Sequence, residues 1–286
     1  MKNLKLIECP RDAMQGLHTF IPTETKASYI NQLLKVGFDT IDFGSFVSPK
    51  AIPQMKDTGD VLAKLELDNT NSKLLAIIAN ERGGNDAAQF DEITYLGFPF
   101  SVSETFQQRN TKSSIDESLI RVEKIKEIAE KHNKEMVVYL SMAFGNPYGD
   151  AWDVDVVAKW SEVLYEQFEI KILALSDTIG VSKPENIKQV FEPLIKYIPS
   201  VEFGAHLHST TETAYEKVMS AYDAGCRRFD GAFKGFGGCP MAEDDLTGNM
   251  PTEIMFNFFN KNSIETNLNT NEFNKSLEKA IEVFPI

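Results

Sequence analysis

Cysteine is scarce in this sequence. Its 286 residues include three cysteines, Cys9, Cys226 and Cys239, at irregular spacing. An odd number of widely separated cysteines argues against a disulfide framework and for a reducing compartment. The spacing also excludes an all-cysteine zinc site. We therefore expect a cytoplasmic protein that is held together by its core.

Positive charge and long hydrophobic runs are also in short supply. Lys and Arg number 29 against 42 Asp and Glu, which gives a formal net charge of -13. Such a surface repels nucleic acid and anionic lipid, although a local basic patch can still bind a phosphorylated ligand. Apolar stretches such as Leu74–Ala79 are far too short to span a membrane, and Glu8 interrupts the N-terminus before a signal-peptide core develops. We expect neither a nucleic-acid partner nor a membrane partner.

What the sequence does contain is a regular alternation of short apolar runs and amphipathic stretches. The apolar runs lack the polar–apolar alternation of a half-exposed sheet, as parallel strands buried on both faces require. An open doubly wound sheet is the alternative, but no Gly-x-Gly-x-x-Gly turn follows the first run. The predicted strands are Leu4–Glu8, Thr40–Phe43, Leu74–Ala79, Ile93–Leu96, Met136–Leu140, Ile172–Leu175, Val201–Leu207 and Arg228–Asp230.

The chain length favours one large barrel over several small domains. Hydrophobic residues make up 42% of the 286 residues, enough for a sizeable core. We predict an α/β fold of the TIM (β/α)8 barrel type that occupies residues 1–286 as a single domain. In such a barrel the active site lies at the C-terminal ends of the strands.

Helix signals lie between the predicted strands. Thr23 can cap a helix that runs to Gly37, and the segment from Thr211 to Gly225 closes with a glycine suited to a left-handed helix stop. Two further pairs have the spacing of a capping box, in which each side chain satisfies the other residue's free amide. These pairs are Ser114 with Glu117 and Ser182 with Glu185.

A His-x-His pair lies in the seventh predicted strand, in a chain with only four histidines. Residues two apart on a strand point to the same face, so His206 and His208 can reach one ion. Asp12 adds a carboxylate from another strand end of the same rim. Two nitrogens with carboxylate and amide oxygens suit magnesium or manganese first, with zinc or cobalt as alternatives.

Charged residues follow other predicted strands. An arginine at a buried strand end needs an anion or a carbonyl, because a bare guanidinium is costly there. Arg11 therefore faces a ligand or pairs with Asp12 or Asp42. Asp42 and Asp177 follow two further strands, where carboxylates also cap helices. All are candidates for catalysis, with a structural role as the alternative.

The three cysteines differ in their sequence surroundings. Cys239 lies in Gly237-Gly238-Cys239-Pro240, where the glycines permit close approach to a ligand. A thiol on such a loop can serve as an acid or a base. For Cys9 and Cys226 we expect inert packing positions.

Six sets of residues at or near the predicted strand ends belong together, namely Pro10-Arg11-Asp12 with Gln15, Ser45–Lys50 with Pro53–Met55, Asp177–Gly180, His206-x-His208, Gly237–Pro240 and Gly248-Asn249. Together they resemble the 3-hydroxy-3-methylglutaryl-CoA lyase family of barrel metallolyases, whose first strand ends in an Arg-Asp or Arg-Glu motif. The resemblance runs from the first strand to about Glu253. The Ser-Phe-Val-Ser-Pro-Lys and Gly-Gly-Cys-Pro stretches are specific to the lyase branch.

The resemblance implies roles for individual residues. Arg11 polarises the thioester carbonyl, Cys239 is the loop thiol, and Asp42 stands where the family commonly has glutamate. Gln15 and Ser45 join Arg11 as substrate-binding residues. The chain departs from the family at Ala13, at Gly16-Leu17-His18 and at Ser209. The implied ligands of the divalent cation are Asp12, His206, His208 and Asn249.

The implied reaction is a retro-Claisen cleavage of 3-hydroxy-3-methylglutaryl-CoA to acetyl-CoA and acetoacetate, catalysed by a homodimer. It must deprotonate a tertiary hydroxyl, break the adjacent carbon–carbon bond and stabilise a thioester enolate. A metal ion lowers the hydroxyl pKa, and Arg11 supplies positive charge at the enolate oxygen. Asp177 and His206 are the two candidate bases, and Cys239 is the candidate proton donor to the enolate.

Three other functions remain as alternatives. A related acyl-CoA lyase or a Claisen condensation synthase of the isopropylmalate or homocitrate type resembles this barrel and shares its metal motif. The synthases usually carry an extra C-terminal region, whereas about 35 residues follow Asn249 here. A catalytically silent barrel is the third alternative, and a metal-binding measurement would separate it from the enzymes. A Schiff-base aldolase is disfavoured because no strand-end lysine stands out.

Overall fold

Eight parallel strands form a closed barrel in the computed structural model, which describes residues 3–238 and 247–284. Neighbouring strands pair in chain order, and the last strand pairs with the first, where Lys5 lies opposite Arg228. The predicted TIM barrel is therefore confirmed and the open sheet is excluded. The strands are β1 Lys5–Glu8, β2 Thr40–Ser45, β3 Lys73–Ile77, β4 Ile93–Ser101, β5 Glu135–Ser141, β6 Ile172–Ser176, β7 Glu202–His206 and β8 Arg228–Gly231.

All eight predicted strands are present, and the largest difference is in β4. This strand continues to Ser101, five residues beyond its predicted end at Leu96. Gly97 and Pro99 both disfavour a strand interior, yet each pairs with a residue of β5. Because β4 is a member of a closed ring, its neighbours hold it in register through residues that would weaken an isolated strand.

Helices cover the outside of the barrel. A large apolar cluster fills the layer between helices and strands, and a smaller one that includes Leu75, Tyr95 and Tyr139 fills the inside of the ring. No helix among the described residues combines the length and the apolar character needed to cross a membrane. The helices are α1 Pro10–Gln15, α2 Thr23–Leu34, α3 Thr58–Leu62, α4 Glu81–Ala88, α5 Glu104–Thr111, α6 Ile115–Lys131, α7 Val154–Phe168, α8 Pro184–Tyr197, α9 Thr211–Asp223, α10 Thr252–Lys261 and α11 Thr270–Val283.

Two of the predicted helix ends are confirmed. Ser114 and Glu117 form the reciprocal capping box at the start of α6, with hydrogen bonds of 2.9 and 3.1 Å. After α9 the chain turns at Gly225, whose φ is +97°. Glycine adopts this left-handed conformation without the steric cost that a side chain brings.

The other two predicted caps are wrong. Thr23 is the first residue of α2 and not its cap, and its hydroxyl donates to Asp57 Oδ2 at 2.8 Å. Ser182 does not pair with Glu185, because its hydroxyl donates to Asp177 Oδ2 at 2.5 Å. In both cases a carboxylate outside the helix accepts the hydrogen bond from the hydroxyl that the local spacing assigned to the helix.

The last residue of β1, Glu8, carries a buried carboxyl group. Glu8 is fully buried, and its oxygens accept hydrogen bonds from Phe233 N at 2.9 Å and from Thr252 Oγ1 at 2.6 Å. Burial raises the pKa of Glu8 from 4.5 to about 8, against the opposing effect of these two hydrogen bonds. The folded protein therefore retains a proton on Glu8 at neutral pH, whereas the unfolded chain releases it.

We expect Glu8→Gln to stabilise the protein progressively between pH 4.5 and about 8, the window between the two pKa values. The folded state binds more protons than the unfolded state there, so wild-type stability falls as the pH rises, and glutamine removes that loss. At about 1.4 kcal/mol per pKa unit, the gain reaches at most about 5 kcal/mol at the upper end. Urea unfolding of both proteins across this window measures it. The exposed Glu66 supplies a control, Glu66→Gln, and parallel stability curves for Glu8→Gln and wild type would contradict the prediction.

Candidate active site

A cavity of about 620 Å³ opens at the C-terminal ends of the strands. Ile77, Ser141, Ser176 and His206, which end four different strands, all line it. This is the end of the barrel at which the active site was predicted. The structure brings five of the predicted site residues to this cavity, namely Arg11, Asp12, Gln15, His206 and His208.

The short helix α1 places Arg11 and Asp12 at the rim. The strand β1 ends at Glu8, and Pro10 begins the helix, where its fixed φ and missing N–H carry no penalty. Arg11 and Asp12 are each 6% exposed. The sequence did not predict this helix, which turns two adjacent charged side chains away from the strand direction and into the cavity wall.

Arg11 is anchored by Asp42. Its Nε lies 3.2 and 3.1 Å from the two Asp42 oxygens, and its Nη2 donates to Asp42 Oδ2 at 2.5 Å. Burial lowers the pKa of Arg11, but attraction to Asp42 and then to Asp12 outweighs it and raises the pKa above its ordinary value. Among the described residues Nη1 has no hydrogen-bond partner. The guanidinium is thus held on one side and retains free donors.

Asp12 lies between the guanidinium and the histidines. Its Oδ1 accepts a hydrogen bond from Gln15 Nε2 at 3.0 Å, and its Oδ2 lies 3.7 Å from His206 Nε2. Burial raises the pKa of Asp12, but the charges of Arg11 and of the two histidines lower it by more than burial raises it. The net shift of the pKa is therefore downward. Asp12 is therefore an ionised carboxylate at neutral pH.

His206, the last residue of β7, is oriented by a second carboxylate. Its Nδ1 lies 3.2 Å from Asp230 Oδ2, and the edge of the Tyr139 ring packs against it with centroids 5.3 Å apart. Burial lowers the pKa of His206, but the hydrogen bond and charge of Asp230 raise it, and the net shift is upward. A carboxylate on one ring nitrogen fixes the ring and leaves the other, here facing Asp12, for a ligand.

His208 lies two residues further on, and its ring centroid is 5.6 Å from that of His206. Burial and the charge of His206 lower the pKa of His208 to about 4, so its imidazole is neutral at neutral pH. Its Nδ1 is buried without a hydrogen-bond partner in the described part of the chain. A neutral, buried imidazole nitrogen that lacks a partner is suited to bind a cation.

Asn249 completes the group from beyond β8. It forms an isolated antiparallel bridge with His208 and is 2% exposed. Its Nδ2 donates to Phe236 O at 2.9 Å, and a side-chain hydrogen bond from Asn249 also stabilises ionised Asp12. Two imidazoles, one carboxylate and one amide are a donor set that fits a divalent cation.

A second group of potential metal ligands lies deeper in the ring. One ligand atom each from Cys9, His206 and Asp230 lies within 4.8 Å of the others. Burial, followed by the charges of Asp230 and Asp42, raises the pKa of Cys9 well above 9.0, so the thiol remains protonated and is a poor ligand. Cys9 and Cys226 are both buried free cysteines, as expected for packing positions.

Four predicted site residues do not line the cavity within the described ranges, namely Asp42, Ser45, Asp177 and the Asn249 described above. Asp42 pairs with Arg11, which matches the structural alternative from the sequence. Ser45 is buried, and its Oγ accepts a hydrogen bond from Val47 N at 3.2 Å. Asp177 is 1% exposed, and its Oδ2 accepts a hydrogen bond from Lys217 Nζ at 3.0 Å. These contacts give Ser45 and Asp177 roles in local structure, and the substrate-binding role of Ser45 and the catalytic role of Asp177 stay predictions.

Cys239 lies outside the described residues, but the start of its motif is described. Gly237 has a φ of +90°, and a Cβ atom there would lie 2.6 Å from Asp12 O and 2.8 Å from Asn249 Nδ2. Any side chain at Gly237 would therefore clash with two of the predicted cation ligands. The Gly-Gly-Cys-Pro motif begins in direct contact with the candidate site.

The sequence reasoning missed several residues that shape this site. Asp230 ends a predicted strand, so the rule that found Asp12 could also have found it. Tyr139 lies inside a predicted strand, where an aromatic residue gives no functional signal. Lys217 lies in a helix, and its only signal is a charge on an apolar stripe. The missed basic side chains that line the cavity are Arg109, Lys112 and Arg121.

Comparison with known proteins gives a consistent result. The HMGL-like family matches residues 4–279. The chain is 35% identical to the hydroxymethylglutaryl-CoA lyase of Bacillus subtilis (strain 168) over 259 residues, which are 91% of this chain and 85% of that protein. A crystal structure of HMG-CoA lyase from B. subtilis has a TM-score of 0.91 at 33% identity and covers 99% of this chain and 94% of its own. The HMG-CoA lyase of Acinetobacter baumannii, solved with coenzyme A and 3-methylmalate, also has a TM-score of 0.91, at 28% identity, with coverage of 98% and 91%.

Proposed function

The chain belongs to the HMGL-like family of carbon–carbon lyases, and we propose that it cleaves 3-hydroxy-3-methylglutaryl-CoA to acetyl-CoA and acetoacetate with the aid of a divalent cation. The observation that carries this proposal is the convergence of Arg11, Asp12, His206 and His208 on one cavity at the C-terminal end of the barrel. This constellation joins a fixed positive charge to a cation-binding donor set. We further propose a cytoplasmic homodimer, on the resemblance and the scarcity of cysteine.

The proposed ligands are Asp12, His206 through Nε2, His208 and Asn249. Two of them are prepared by their surroundings. Asp12 is ionised by its neighbours, and His208 is neutral with an Nδ1 that has no hydrogen-bond partner among residues 3–238 and 247–284. The mixed oxygen and nitrogen set favours Mg²⁺ or Mn²⁺, with Zn²⁺ or Co²⁺ as alternatives. When bound, the cation lowers the pKa of the substrate hydroxyl that it coordinates.

The cavity also suits an acyl-CoA. Its volume of about 620 Å³ is in the range of small-molecule sites. Apolar side chains such as Val47 and Ile52 line it together with Arg109, Lys112 and Arg121, in a chain whose net charge is -13. Three cations in one place on an acidic protein favour a ligand with phosphates. The phosphates of coenzyme A supply that charge, and the apolar side chains suit its pantetheine arm.

The residues would divide the chemistry as follows. A base removes the proton of the tertiary hydroxyl, the adjacent carbon–carbon bond breaks, and its electron pair forms the thioester enolate. Asp177 and His206 stay the two candidate bases. His206 lines the cavity and Asp177 does not, but His206 can accept the proton only when its Nε2 does not hold the cation, because its Nδ1 already faces Asp230. Arg11 stabilises the negative charge on the enolate oxygen through its free donors. Cys239 then delivers a proton to the enolate carbon, which yields acetyl-CoA.

The direct test is to incubate the protein with 3-hydroxy-3-methylglutaryl-CoA and Mg²⁺ or Mn²⁺, and to measure acetoacetate and acetyl-CoA. We expect both products in equal amounts. A chelator should abolish their formation and added cation should restore it, because the proposed ligands cannot activate the hydroxyl alone. Full activity of the metal-free protein would refute the metal site. Condensation of acetyl-CoA with a keto acid, without any cleavage, would identify a synthase instead.

A further inference from the structure

Lys217 is a buried lysine on the apolar stripe of α9. It is 3% exposed and lies between Ala214 and Ala221 on the buried face of the helix. Its ammonium group donates to three oxygens, namely His208 O at 2.7 Å, Asp177 Oδ2 at 3.0 Å and Gly180 O at 3.2 Å. All three N–H groups are therefore used, and the group has no free donor for a substrate.

The contact with His208 falls where the sheet no longer holds the backbone. The last residue pair between β6 and β7 is Ser176 with His206, so His208 lies beyond the ladder. On one side His208 bridges to Asn249. On the other side its carbonyl is held by Lys217. The lysine therefore replaces the missing strand neighbour of His208.

One residue of this ion pair, Asp177, also contacts His206 through its backbone. The backbone N–H of Asp177 donates to His206 O at 3.0 Å, and its carboxylate accepts hydrogen bonds from Lys217 and from Ser182 N and Oγ. The two residues of the ion pair thus each donate a hydrogen bond to a histidine carbonyl, Asp177 through its backbone N–H to His206 and Lys217 through its ammonium group to His208. A shift of this pair would move both backbones.

We propose that Lys217 is a positioning residue for the cation site, which fixes the backbone of His208 so that its imidazole meets the cation at the correct distance. This inference rests on the metal site proposed above. Burial of an ammonium group is costly, and an apolar residue on the stripe would pack equally well, so packing alone does not account for a lysine here. Groups that orient metal ligands typically change metal affinity about 10- to 100-fold when they are lost.

A second buried lysine provides a matched control. Lys26 in α2 is 2% exposed, and its ammonium group donates to Asp57 Oδ1 at 2.6 Å and to the carbonyl of Gln54. It does not line the cavity and does not contact any proposed ligand. Replacement of either lysine by methionine leaves a buried carboxylate without its positively charged partner. Only Lys217→Met also releases a histidine of the cation site.

The test is Mn²⁺ binding without substrate, measured by the electron paramagnetic resonance of free Mn²⁺ during a titration. We expect Lys217→Met to weaken Mn²⁺ binding about 10- to 100-fold. Lys26→Met should bind Mn²⁺ within about two-fold of wild type, although both variants lose thermal stability. Unchanged Mn²⁺ affinity in Lys217→Met would overturn the inference. Failure of the wild type to bind Mn²⁺ would overturn both the inference and the proposed metal site. The two failures are distinguishable because only the second also affects the wild type.

The double variant Asp177→Asn/Lys217→Met covers the case in which the single variant does not fold. It removes both members of the ion pair, so that no unpaired charge is buried. We expect it to regain thermal stability relative to Lys217→Met but not Mn²⁺ affinity, because the His208 carbonyl still lacks its donor. Wild-type Mn²⁺ affinity in the double variant would overturn the positioning role.

Discussion

Arg11→Gln is expected to lower kcat about 100- to 1,000-fold while Mn²⁺ affinity stays close to that of the wild type. A fixed donor at a developing oxyanion contributes roughly 3–4 kcal/mol to the transition state, and Arg11 is held for this task by Asp42. Glutamine can donate a hydrogen bond but carries no charge. Steady-state kinetics with 3-hydroxy-3-methylglutaryl-CoA measures the effect, and most of it should appear in kcat and not in KM.

The Mn²⁺ titration of the same variant is the control, because it reports whether Asp12 and the histidines are still in place. Asp42→Asn gives a second comparison, since it keeps the charge of Arg11 and weakens only its anchor. If KM rose steeply while kcat survived, Arg11 would be an anchor for the substrate. If neither changed by more than about ten-fold, far short of the loss expected for an oxyanion donor, Arg11 would serve only as the structural partner of Asp42.

His208→Ala is expected to weaken Mn²⁺ binding by more than about 100-fold, beyond the range typical of groups that only orient a ligand. The imidazole is buried and already neutral, so the cation has no proton to displace there, and water at the vacated position is a weaker donor. Cleavage should be lost at Mn²⁺ concentrations that saturate the wild type, and a large excess of Mn²⁺ should restore part of it.

His132 offers the control for this variant. It lies at the C-terminal end of α6, and it is not among the residues that line the cavity. We expect His132→Ala to leave both Mn²⁺ binding and cleavage unchanged. Wild-type Mn²⁺ affinity in His208→Ala would remove His208 from the ligand set. It would also leave unexplained why the buried Nδ1 has no partner in the described part of the chain.

The barrel could be predicted from the sequence because strands buried on both faces are continuously apolar, and that signal is local. The residues that cap the helix starts were harder to predict from the sequence. The hydroxyl of Thr23 donates to Asp57, which lies 34 residues later in the chain, and the hydroxyl of Ser182 donates to Asp177, which lies five residues earlier. Residue spacing tests only whether a cap is available, and not whether another acceptor competes for it.

For the site, too, the sequence predicted some features and missed others. The rule that functional side chains follow barrel strands found Arg11, Asp12, His206 and His208, all of which line the cavity. It does not specify which way a side chain points, and so it also selected Asp177. The direction of that side chain depends on Lys217, which comes from a helix 40 residues later in the chain. The role of Cys239 in proton transfer stays a prediction.

The seam at which β8 pairs with β1 determines when the site can exist during synthesis. Asp12 follows the first strand and Asn249 follows the last, so the proposed ligands are brought together only when the ring closes. While β8 and Asn249 have not yet emerged from the ribosome, the nascent chain has no complete set of ligands, however much of the barrel has formed. The cation then selects the closed ring over every partly assembled form. Its binding free energy therefore stabilises the pairing of β8 with β1, and does so only after these two strands have met.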